Sequence, residues 1–311
     1  MEKERGEVFE EMSLSIFGFE ALWSPWFFVL LLLIGLVYFL ITVKYRTIIS
    51  KNSEPLKPKQ AILFVLSLLI LYTIKGSPLD LLGHIMFSVH MTQMACLYLV
   101  LPPILINAIP NWLWRRFLSI KVIRPLFHFF TKPLIALLVF NALFSFYHIP
   151  YIFDVVKTNM MLHSICTIIL FVTAILMWWP IINSLEEYQG FYGIKRIGYI
   201  FANGILLTPA CGLIIFANHP IYETYSNSMF WLQAMELCVP TSTLSNLNIS
   251  GPELFNFMPI VDDQKTGGVI MKIIQEIVFG VVLAKIFFAW YRQENTEDVD
   301  MNPVSDKYQM E

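Results

Sequence analysis

The chain is predicted to be an all-α, polytopic membrane helix bundle with seven transmembrane helices, on three observations. Its composition is 57% hydrophobic and 14% charged, with a mean hydropathy of +0.63, too apolar for a soluble domain. Seven long apolar stretches recur along its 311 residues, each near the ~20 residues that span a hydrocarbon core at about 1.5 Å rise per residue. Basic residues alternate between the loops that join them. A stretch crossing lipid must be helical, because the bilayer core offers no partner for unpaired backbone groups.

The first stretch, 26–43, begins at Trp26 behind an acidic segment with no small-residue cleavage site, so it reads as a retained helix and not a secretory signal. The second, 60–76, is the weakest, broken by Lys75, Gly76 and Pro78. The third, 81–101, runs into Pro102-Pro103, a pair expected to end or kink it. The fourth, fifth and sixth cover 133–149, 160–182 and 197–217. The seventh, 268–290, opens at Gly267-Gly268 and carries Glu276, a carboxylate inside the bilayer, two turns in. Outside the 26–290 membrane domain, residues 1–25 and 291–311 read as polar tails.

Loop charges orient the bundle. The first loop carries Lys44, Arg46, Lys51, Lys57 and Lys59, the third Arg115, Arg116, Lys121, Arg124 and Lys132, and the fifth Lys195 and Arg196. The second, fourth and sixth hold one lysine each: Lys75, Lys157 and Lys265. Odd loops are therefore expected in the cytoplasm, which sets the N-terminus outside and the C-terminus cytoplasmic. The outer loops also carry Asp80, Asp154, Glu223, Glu236, Glu253, Asp262 and Asp263, a field that suits a cation. The sixth loop, 218–267, is too long for a connector and is expected to fold as an outer cap, with 228–238 a short amphipathic helix on the membrane surface.

On this topology His84, His90, His148, His163 and His219 share the outer side, and His128 alone lies opposite. Helix-end histidines often bond only water, headgroups or backbone, so position by itself is a weak signal. Methionines sharpen it: Met86, Met91, Met94, Met160 and Met161 lie close by, and imidazole with thioether is a copper donor set, soft sulfur suiting Cu(I). If 81–101 is one helix, His84 and Met91 differ by about 20° and His90 and Met94 by about 40°, placing all four on one face. A histidine as deep as His90 requires a partner. His148 closes the fourth helix, and His163 opens the fifth with Met160 one turn before it. The expected metal ligands are therefore His84, His90, Met91, Met94, His148 and His163, with Met160, Asp263 and Glu276 around them. Cys96, Cys166, Cys211 and Cys238 form no C-x-x-C pair. Cys166, one turn after His163, is read as a small hydrophobe before a ligand.

Other classes lose ground. The chain has no nucleotide-binding G-x-x-x-x-G-K-[ST] loop and no G-x-S-x-G or H-E-x-x-H motif, so no enzyme is expected. Its basic loops lack the aromatic platforms that stack nucleic acid. Two rivals stay open: a haem-binding membrane redox protein, since facing histidines also hold b-type haem, and a copper transporter.

Four segments carry a resemblance: "SPLDLLGHIMFSVHMTQMACLYLVLPPILINAIP" (77–110), "FYHIPYIFD" (146–154), "MLHSICTIILFVTAILMWWPI" (161–181) and "DDQKTGGVIMKIIQE" (262–276). Together they resemble the CtaG family of cytochrome oxidase assembly factors of Gram-positive bacteria, the seven-helix membrane family and not the single-span copper chaperone of the same name. The match falls on His84, His90, Met91, Pro102 and Pro103, on His148 and Pro150, on His163, Trp178, Trp179 and Pro180, and on Asp263, Gln264, Gly267, Gly268, Met271 and Glu276. Met94 stands where other branches often have histidine, a departure that still serves Cu(I). The resemblance implies a multi-pass protein of the bacterial cell membrane that helps form a caa-type haem-copper oxidase by handling copper. Cytochrome c oxidase subunits, other copper chaperones and membrane lipid are the implied partners.

Overall fold

The computed structural model describes residues 14–188, 193–246, 251 and 258–300. They are helical throughout, with no strand among them. In chain order the principal helices are α1 (Pro25–Lys44), α2 (Pro58–Lys75), α3 (Pro78–Ile85), α4 (Phe87–Ala108), α5 (Asn111–Leu118), α6 (Ile123–Phe130), α7 (Pro133–Tyr147), α8 (Pro150–Lys157), α9 (Met160–Ile182), α10 (Ile194–Ile215), α11 (Ser228–Met235) and α12 (Ile260–Asp300). Among the described residues α1, α2, α4, α9 and α10 are long and apolar enough to cross a membrane. The fourth expected span, 133–149, is the 15-residue α7, which with α6 forms a pair bent by 81°, either one broken sixth span or a re-entrant turn. The seventh, 268–290, lies inside the 41-residue α12.

Five of these helices close a ring in which α4 packs on α12, α12 on α10, α10 on α7, α7 on α9 and α9 back on α4. Helices α1 and α2 lie outside it, joined through α2 to α4. Burial follows that order: 61% of the best α4 window is buried, against 17% of that of α2. Polar bonds stitch the ring where no water competes. Asn141 on α7 donates to Asn203 on α10 at 2.9 Å, and the Trp178 indole on α9 donates to the Tyr98 carbonyl on α4 at 3.1 Å.

That last bond explains which of the two outcomes expected at Pro102-Pro103 occurs: the helix is distorted there and does not end. Pro102 has no N–H to give the carbonyl four residues back, which belongs to Tyr98. Trp178 supplies the missing donor, a wide π-turn over Cys96–Val100 absorbs the ring, and α4 runs on to Ala108.

The break comes earlier, at Met86. Ser77 accepts from the Leu79 N–H at 3.2 Å and Pro78 occupies the first turn, which starts α3. Met86 is then extended, with φ −118° and ψ 128°. The orphan N–H groups that open α4 are satisfied from α12: Asp263 accepts from Phe87 N at 2.7 Å, from Ser88 N at 3.3 Å and from the Ser88 hydroxyl. Glycine at 267 lets α12 come this close, since a Cβ there would lie 3.0 Å from the Ser88 Cα and 3.1 Å from Met91 Cγ. The expected single helix over 81–101 is thus two helices, and the shared-face argument linking His84 to Met91 does not hold.

Of the segment expected to form a cap, 247–250 and 252–257 lie outside the described residues, and the rest folds over α3. Its helix α11 buries one face in the protein and exposes Met229 on another. Trp231 and Met235 are fully buried against Leu81 and Ile85 of α3, together with Phe17 from the N-terminal segment. Residues 14–22 accordingly pack on the cap instead of forming part of a free tail; residues 1–13 lie outside the described residues. Asp154 of α8 ties the cap down, accepting from Glu223 N at 3.1 Å, Thr224 N at 3.0 Å and Thr224 Oγ1 at 2.9 Å.

Candidate metal centre

Six helices, α2, α3, α4, α7, α8 and α9, meet beneath that segment, α7 through Tyr147. A cavity of about 20 Å³ lies between them, enough for one water-sized occupant. Helix α3 contributes His84; α4 contributes His90 and Met94 on successive turns, with Gln93 and Tyr98 beside them; α9 contributes His163 and Thr167. Lys75 closes one side from the end of α2 and Lys157 another from the end of α8.

Separate helices reach one point because α3 folds back tightly on α4. Gln93 donates to the carbonyls of Ile74 at 3.0 Å and Leu79 at 2.7 Å, pinning the start of α3. Only glycine fits at 83, since a Cβ there would sit 2.2 Å from Gln93 Oε1. The His84 and His163 rings then meet edge-on with centroids 5.7 Å apart. His90 is 3% exposed, and its Nε2 is buried without a hydrogen-bond partner. A buried polar atom left so costs about 1–3 kcal/mol, which a ligand at the cavity would recover. Three imidazoles and a thioether around one cavity suit Cu(I) by softness, but the three imidazoles do not bring ligand atoms within 4.8 Å of one another, so binding would have to draw them together.

Two lysines complicate the electrostatics. Lys75 pairs with Asp80. Lys157 is 1% exposed and has no carboxylate partner among the described residues; its Nζ lies 3.4 Å from His84 Nδ1, 3.5 Å from the Gly83 carbonyl and 5.7 Å from the centre of the Tyr225 ring. Burial, reinforced by the Lys75 charge and opposed by Cys238 and Asp80, pulls its ammonium down to about 7. Near neutrality the group therefore spends much of its time as an uncharged amine.

The expected ligands divide accordingly. His84, His90, Met94 and His163 line the cavity; the other candidates do not. Met91 is fully buried and faces Gly267 of α12. His148 caps the end of α7, its Nδ1 2.7 Å from the Phe144 carbonyl, with Nε2 buried and unpaired. Met160 is 61% exposed. Asp263 holds the start of α4, so its effect on His90 is one of position. Glu276 pairs with Lys272 at 2.8 Å on the surface of α12. Of the remaining histidines, His128 and His219 are exposed.

Sequence reasoning missed Gln93, Lys157 and a neighbouring cluster in which Asp80, His84 and Cys238 bring ligand atoms within 4.8 Å of one another. The lysines had a signal: they are the only basic residues of the second and fourth loops, where topology asks for none.

The profile of the family described as cytochrome c oxidase caa3 assembly factor (Caa3_CtaG) matches residues 36–293. No curated protein and no solved structure matches the chain.

Proposed function

The chain belongs to the cytochrome c oxidase caa3 assembly factor family, and from that premise we propose that it holds one copper ion, as Cu(I), for delivery to the oxidase. The ligands in this reading are His84, His90, Met94 and His163. The buried, unpartnered Nε2 of His90 beside a one-ion cavity carries it. Lysine and arginine distribution supports putting this end of the bundle at the outer membrane face, with α12 as a seventh crossing and the oxidase subunits as partners. The protein's own contribution is to align soft donors from three helices, keep them dry, and hold the cap over them.

The rivals fit the geometry less well. A cavity of about 20 Å³ has no room for a porphyrin between the histidines. The large groove at the opposite end is lined by Lys59, Lys195, Arg196 and Lys285 among apolar side chains, with neither histidine nor methionine, a lining that favours loading at one end over transport.

Cells carrying His90→Ala/His163→Ala test this reading. The protein and the oxidase subunits should reach normal abundance, with haem present, while oxidase activity falls and excess copper in the medium partly restores it by mass action. Full activity at normal abundance would refute copper delivery and leave a scaffold acting through surfaces such as the cap.

A further inference from the structure

Asp80, His84 and Cys238 sit just beyond the cavity. The first two are one turn apart on α3, on the same face of the helix. Cys238 arrives from the cap, 158 positions along the chain from Asp80, with its Sγ 3.8 Å from Asp80 Oδ2. The ligand atoms of all three fall within 4.8 Å of one another. Asp80 and Cys238 are part-buried, while His84 is 3% exposed. The cation now present at the carboxylate is Lys75, paired with Asp80 Oδ1, with its side chain 26% exposed. His84 belongs to both groups, since it also lines the cavity.

We infer that Asp80, His84 and Cys238 form a second transition-metal site, an entry site in which the Lys75 ammonium holds the place of the incoming ion and His84 passes that ion on to the cavity. Copper as the cargo rests on the function proposed above; the site itself does not. Thiolate, imidazole and carboxylate are a mixed set for soft and borderline ions. Bonds of about 2.0–2.3 Å to a tetrahedral ion separate ligand atoms by roughly 3.3–3.8 Å, so the triad closes by about 1 Å on binding. The charge balances: a metal–sulfur bond replaces the S–H bond, the thiol proton leaves to water, and the Lys75 ammonium gives up Asp80 as the cation arrives. A site placed ahead of the cavity also explains why the cap, which supplies Cys238, is bound so firmly through Asp154 and Tyr225, the latter donating to the Gly83 carbonyl at 2.6 Å beside His84.

Cobalt(II) titration of the reduced, detergent-purified protein tests this, because a thiolate bound to cobalt gives a near-ultraviolet charge-transfer band that imidazole and thioether do not. The band should appear in the wild type and persist in His90→Ala/Met94→Ala, which spares the triad. It should vanish in Cys238→Ser, weaken at least tenfold in Asp80→Asn, and form at lower cobalt in Lys75→Gln. Should Cys238→Ser fail to fold, bound cobalt should still protect Cys238 of the wild type from alkylation, read by mass spectrometry. Absence of the band and of protection, or a band surviving in folded Cys238→Ser, would overturn the entry site. Failure of the cavity would show differently, as no loss of copper from His90→Ala/Met94→Ala while the cobalt band stays.

Discussion

Alanine at both His90 and Met94 is expected to weaken copper binding by more than ~100-fold, enough to strip the metal during purification. Loss of a residue that only orients a ligand commonly costs about 10–100-fold in metal affinity, and this change removes two donors on successive turns of α4. Two histidines would remain, half of the proposed donors, and neither is on α4. Met94 is 5% exposed, and emptying such a site costs about 2–5 kcal/mol of stability. Met94→Leu separates the effects, because it keeps the volume and discards only the sulfur. That single change should leave the fold intact and lower Cu(I) affinity measurably, as competition with a Cu(I) chelator would record. Equal affinity in Met94→Leu and wild type would remove the thioether from the site.

The second large effect is expected at Lys157, with the opposite sign. Its ammonium lies beside His84 with no carboxylate partner among the described residues, and unit charges 4 Å apart at an effective dielectric of ~20 interact by about 4 kcal/mol. An ion entering the cavity meets that repulsion whenever the lysine is protonated. Lys157→Met keeps the length and removes the charge, so Cu(I) should bind about tenfold tighter or more. The pH dependence gives a second readout. The wild-type ammonium is pulled down to about 7 by burial, so affinity should rise with pH through that value as the proton leaves. In Lys157→Met the part of the rise belonging to this group should disappear. Weaker binding in the variant would mean that the uncharged amine is itself a ligand, and would overturn this assignment.

These residues also indicate how far the structure can be read from the sequence. The helical class, the apolar stretches and the gathering of histidines at one end follow from hydropathy and charge, because lipid and the positive-inside rule act on composition. The break at Met86 does not, since no proline or glycine marks it. It is stabilised by Asp263, 176 positions away, a contact that local pattern cannot supply. The same contact explains why Asp263 looked like a ligand neighbour: an aspartate near a metal site and one capping the helix that carries it leave the same trace in sequence. Pro102-Pro103 left two outcomes open, because the donor that rescues the Tyr98 carbonyl sits on α9. His148 and Met160 stand at the right ends of their helices, but ring orientation and exposure depend on packing. Lys157 was counted as a loop charge, yet it is buried against the histidines. A lone basic residue where topology asks for none is the trace such a buried lysine leaves in sequence.

Copper delivery requires that the cavity hold copper. Metal analysis combined with copper X-ray absorption, on wild-type protein loaded with Cu(I) in slight excess of one equivalent, washed and kept reduced, tests that most directly. About one tightly held copper per chain is predicted, with the edge of Cu(I), a shell of imidazole nitrogen and a sulfur contribution that is lost in Met94→Leu. A protein that retains no copper, or whose copper shows the same sulfur shell in Met94→Leu as in the wild type, would contradict it.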